Sequence, residues 1–165
     1  MTDYKYICLN HRFWVDAHPE EAFSSVQQMT KAAEHLLQKN QTHKAIPFLG
    51  TAFETAEIIF DKRLESPQLT TSLTSLAIML AHAYASTNQI DSANALLQRL
   101  NNKMKCAIDC ALGYATKAAF FEHCSRAITE ASIDIMITVA TSTIIPTAIP
   151  SATSPVIAKH RVLIH

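Results

Sequence analysis

Small and apolar residues recur along this chain at helical intervals, and the same order of them occurs twice. Met29, Ala32, Ala33 and Leu36 are followed by Asn40, Ala45, Leu49 and Ala52. Ala77, Leu80, Ala81 and Tyr84 are followed by Asn88, Ala93, Leu97 and Leu100, each 48 positions after its counterpart. Within each first half the apolar residues fall on one stripe of a 3.6-period helix, and a second stripe follows the asparagine. Asn40 and Asn88 each tolerate the left-handed conformation that ends a helix and begins a tight reversal. The pattern therefore predicts two antiparallel helical hairpins. Ala33, Ala45, Ala81 and Ala93 fall where larger side chains would hold paired axes apart.

Punctuation sharpens the boundaries. Pro19 suits a first helical turn, with Glu20 and Glu21 at the positive end of the dipole, and the first helix is expected to run to Lys39. A second helix is expected from Thr42 to Leu64, with Pro47 in its opening turns. Ser66 and Pro67 read as cap and first turn of a third helix reaching Thr87, and Asp91 opens a fourth. Met104, Ile108, Ala111, Ala115 and Ala118 keep helical spacing, which predicts a fifth helix from Met104 to Cys124 or beyond, covering the last apolar face. Ahead of these lies a segment, residues 1–18, whose Tyr4, Tyr6, Phe13 and Trp14 are expected to cover an apolar surface. The helical domain is thus drawn over residues 19–130.

This order of positions resembles the tetratricopeptide repeat, best along LAIMLAHAYASTNQIDSANALLQRL from Leu76 to Leu100. The first unit is looser, with Leu36 where the family prefers an aromatic residue and Thr42 where it has an apolar one. The period of 48 also exceeds the family's, which is about 34. Phe53 to Phe60, FETAEIIF, runs past the usual stop, which is similar to the long-helix variants found in kinesin light chains. The resemblance implies an all-α fold of about five helices, stacked as hairpins, and a role in binding other proteins. By its register a concave face would present Gln27, Thr30, Glu34 and Gln38 from the first unit, and Ser75, Ile78, His82 and Ser86 from the second. Repeats that clamp the carboxylate of chaperone tails carry Lys and Asn where this chain has Thr30 and Glu34, which argues against that ligand. A peptide or helix recognised by shape and a few hydrogen bonds suits this mixed surface better. Two units are fewer than the three or so that usually stabilise an array, which favours capping or a homodimer.

Composition changes after Glu130. From residue 131 to 165 Ile, Thr, Ala and Ser dominate, with Pro146, Pro150 and Pro155, and an irregular apolar tail is expected there. The apolar run from Ile135 to Ile145 is short of the roughly 20 residues that a bilayer core demands, so no membrane partner is expected. Fourteen basic and fourteen acidic side chains cancel, leaving no net charge to attract nucleic acid. The opening MTDYKYICLN has no secretory pattern, and Cys8, Cys106, Cys110 and Cys124 lack a close disulfide framework, so a reducing cytoplasm is the expected setting.

Candidate chemistry is sparse. Gly50 and Gly113 are too far apart for a phosphate-cradling loop, and HExxH and GxSxG are absent. No cofactor is expected and no catalytic residue stands out; the reading is of a non-enzymatic interaction module. Its rival is a metal- or small-ligand-binding bundle using Cys106, Cys110, His123 and Cys124, whose side chains are of the types that ligate zinc. In one continuous helix Cys110 and Cys124 would lie about 21 Å apart, so that rival needs a sharp break near Gly113.

Overall fold

The computed structural model describes residues 4–62, 66–111 and 113–143. Among these residues the chain is all-helical: α1 (Leu9–Ala17), α2 (Pro19–Gln38), α3 (Thr42–Lys62), α4 (Pro67–Ser86), α5 (Ile90–Cys110) and α6 (Ala115–Thr143). The expected helix starts hold at Pro19 and Thr42, and at Pro67, where the Ser66 hydroxyl accepts from the Leu69 N–H at 3.3 Å. Leu64, the expected end of the second helix, lies outside the described residues.

The turns at the two asparagines are alike. Asn40 and Asn88 take positive φ, 56° and 62°. The Gln41 N–H donates to the Leu36 carbonyl and the Asn40 N–H to Leu37, both at 2.9 Å. Gln89 and Asn88 do the same to Tyr84 and Ala85 at 2.8 and 3.0 Å. Each is the paired closure that satisfies the last carbonyls of a helix and reverses the chain. Consequently α2 packs along α3, and α4 along α5. Ala33, Ala45, Ala81 and Ala93 are all fully buried, as close approach of the paired helices requires.

Three expectations are corrected. Of the segment drawn as residues 1–18, the described part, residues 4–18, is not a plain aromatic cover: Leu9–Ala17 forms α1, and Phe13 and Trp14 stay exposed while Tyr4 and Tyr6 are half-buried. The fifth helix does not begin at Met104, because that residue belongs to α5, which runs to Cys110; the chain then breaks at Gly113, whose φ of +103° favours glycine. Residues 131–143, placed in the irregular tail, are the second half of α6. Phe121, Cys124, Ile128, Ala131 and Ile135 are all buried, in alternating steps of three and four, and this seam holds α6 against α5 and α4. That packing overrides the weak helix preference of β-branched residues. The rest of the tail, residues 144–165, lies outside the described residues. No helix among the described residues is long and apolar enough to cross a membrane.

The interior is organised around α3. Every residue from Ala52 to Phe60 is buried, because α2, α4 and α1 pack on it and the Tyr4–Cys8 segment lies against it. Two carboxylates on this helix are therefore inside the fold. Glu57, with no exposed side-chain surface, pairs with Arg99 of α5 at 2.8 Å and faces Lys103 at 3.7 Å. One turn on, Asp61 meets Lys103 at 2.6 Å, so α3 and α5 run in the same direction, joined by two rungs of charge. Burial pushes the Glu57 carboxyl above its usual range despite the opposing pull of Arg99 and Lys103.

Candidate functional site

An open apolar groove of about 820 Å³ lies between α4, the second half of α6 and the end of α2. Ile78, Met79, His82, Ala83, Ala85 and Ser86 come from α4. They share a wall because positions three and four apart on a helix lie side by side. Leu37 at the end of α2 and Thr42 at the start of α3 close one end, together with Asn88 and Ile90 after the α4 turn. Ile135, Thr138 and Val139 of α6 form the facing wall. Among the described lining residues only His82 carries an ionisable side chain; Thr42, Ser86, Asn88 and Thr138 add neutral hydrogen-bonding groups. Such a surface is suited to bury an apolar ligand face and to orient it with a few polar contacts.

The structure divides the eight residues expected on the concave face. Ile78, His82 and Ser86 line the groove together. Ser75 is exposed on α4 outside it. Gln27, Glu34 and Gln38 are exposed on α2 and do not reach it, and the Thr30 hydroxyl is turned back onto the Val26 carbonyl at 2.8 Å. The reason is the packing order: α4 takes α3, α5 and α6 as its main neighbours, so the wall opposite α4 is α6 rather than α2. Ile135, Thr138 and Val139 were missed because β-branched composition outweighed periodicity in the sequence. The unbroken spacing from Phe121 to Ile135, with no proline before Pro146, is the signal that would have found them.

The zinc-type residues stay apart. The break at Gly113 that they required does occur. Yet Cys106 and Cys110 are exposed on α5, His123 is exposed on α6, and Cys124 is buried in the α6 seam with its thiol pushed up by burial, against the pull of a hydrogen bond with Thr74. Among the described residues no group of three or more His, Cys, Asp or Glu is placed to hold a metal ion.

Sequence reading also passed over the pair of buried carboxylates. The Glu54 carboxylate accepts from the main-chain N–H groups of Lys5, Tyr6 and Ile7 at 2.6, 2.8 and 3.0 Å. The Tyr6 hydroxyl pairs with that of Tyr84 across from α4, and burial followed by this bond raises its pKa. Tyr4 is pushed up to about 12, first by burial and then by the nearby negative charges of Glu57 and Asp61. Comparison with family models, with curated proteins and with solved structures finds no match to this chain.

Proposed function

We propose that this chain is a non-enzymatic protein–protein interaction module or scaffold that takes a peptide or helix into the groove between α4 and α6. The observation that carries this reading is the convergence of Ile78, His82 and Ser86 with Ile135 and Val139 around one apolar trough rimmed by neutral polar groups. An amphipathic helix docks in such a trough by anchoring side chains at intervals of three and four. The kinship in design with long-helix tetratricopeptide repeats rests on the 48-residue recurrence in the sequence.

The test is a selection of displayed helical peptides against the full chain, followed by titration of those recovered. Ile78→Asp and His82→Asp introduce charge on the trough floor and are expected to weaken the selected peptides at least ten-fold without shifting thermal unfolding by more than a few degrees. Peptides that bind equally well to both variants would place the interaction elsewhere. If only small apolar probes such as naphthalene sulfonates compete at the trough, it is a small-ligand pocket and the module reading fails.

A further inference from the structure

At Tyr4–Cys8 a short bent segment has the N–H groups of Lys5, Tyr6 and Ile7 held by a helix side chain rather than by other main-chain groups. Three successive N–H groups of this segment converge on one carboxylate, Glu54, which is 3% exposed on α3. A run of main-chain donors folded around an anion is a recurrent recognition geometry, and it depends on the backbone more than on the side chains that carry it. Two further features add selectivity. The Tyr6 ring lies against Gly50, one turn before Glu54, so closely that a Cβ there would overlap it. Its hydroxyl reaches the Tyr84 hydroxyl on α4. Carboxylate, notch and hydroxyl thus form a row on the body of the protein, and the chain itself supplies what they grip.

One short helix links that segment to the body, anchored by the buried Val15 and by the Asp16–Lys62 pair at 2.9 Å. The segment continues into this helix, α1, which packs on α2 and α3 and leaves Leu9, Phe13 and Trp14 exposed on its outer side. The joint is His18, which caps both α1 and α2 with φ −130° and ψ 60°, followed by Pro19. A segment with its own binding features, a short carrier helix and a single-residue joint is the arrangement in which identical elements are exchanged between copies at low cost, because each docks on the other body as it does on its own.

We infer that the α3–α4 face carrying Gly50, Glu54 and Tyr84 is a peptide-binding slot which the chain fills with its own Tyr4–Ile7 segment, and that the same segment of a second copy is the partner it fits. This does not depend on the α4–α6 groove. The copies exchange arms reciprocally, each Tyr6 entering the other's notch.

The test uses the full chain and a fluorescent peptide of residues 4–9 with Cys8→Ser. Saturable binding of this peptide is expected, at least ten-fold weaker when its tyrosine matching Tyr6 is replaced by alanine, a change that leaves the protein untouched. Light scattering should find a dimer fraction that grows with protein concentration and reverts to monomer under excess peptide. Gly50→Ala, if circular dichroism shows it folded, should lose both behaviours. Absence of saturable binding, or binding indifferent to the tyrosine, overturns the slot. A monomer at every concentration, or a dimer that excess peptide leaves intact, overturns the second copy as its partner.

Discussion

The two hairpins, α2–α3 and α4–α5, close with the same turn and place alanine at the same positions, yet they are buried differently. Met29 and Leu36 are half-buried on α2, whereas their counterparts Ala77 and Tyr84 are buried on α4. The second helices reverse this order. On α3, Gly50, Glu54 and Glu57 are inside; on α5 the residues 48 positions later, Gln98, Asn102 and Lys105, face solvent. The difference is one of neighbours. Helix α4 is flanked by α3, α5 and α6, and α3 by α1, α2 and α4, while α2 and α5 each leave one side open. Equivalent sequence positions therefore acquire unequal energies from their place in the stack, since the hydrophobic term scales with area removed from water.

Substitutions can break that comparison. The largest effects are expected where burial is complete: Leu49→Ala and Leu97→Ala should each cost about 2–5 kcal/mol in urea unfolding, and similar amounts, because both sites are fully enclosed. Tyr84→Ala should cost about 3–5 kcal/mol, but Leu36→Ala only about 1 kcal/mol; equal losses at this pair would mean that the hairpins are energetically alike. Arg99→Met leaves the Glu57 carboxylate without its closest cation and should cost about 3 kcal/mol, against about 0.5 kcal/mol or less for Lys105→Met on the exposed face of α5. Double substitution with Glu57→Met should recover most of the Arg99 loss, and failure to do so would show that the arginine acts through packing on the Phe53 ring instead.

Smaller effects sharpen it. Asn40→Ala and Asn88→Ala each remove the short polar side chain whose local hydrogen bonding eases positive φ and should cost about 1 kcal/mol, alike in both hairpins; replacement by glycine should be tolerated. The smallest is a pH effect. Because the neutral form of Tyr4 is favoured in the fold, its contribution is complete below pH 10 and is lost as pH rises through about 12. Tyr4→Phe should flatten the alkaline limb of a stability profile between those values, and an unchanged limb would assign it to other groups.

Much of the framework was legible in the sequence. The residues that start α2 and α4 act through local backbone chemistry, as do the two asparagine turns, and local chemistry is what a sequence displays. The candidate groove was half legible: Ile78, His82 and Ser86 follow from helical register along α4, but the opposite wall depends on which helix comes alongside. Residues Ile135 to Val139 show why composition misleads. The β-branched side chains of Ile135, Ile137, Thr138 and Val139 disfavour an isolated helix by tenths of a kcal/mol each, whereas burying the one side chain of Ile135 returns about 1.5–3 kcal/mol.

By itself, then, the sequence determined the helical periodicity, the two reversals and the small residues at close approaches, because each is encoded within a few consecutive positions. Tertiary structure decided that α3 would be interior, that Glu54 would hold the N-terminal segment and Glu57 would pair with Arg99, and that α6 rather than α2 would face α4. Those outcomes depend on neighbours brought together from distant parts of the chain, and periodicity records which side of a helix is apolar, not what will cover it.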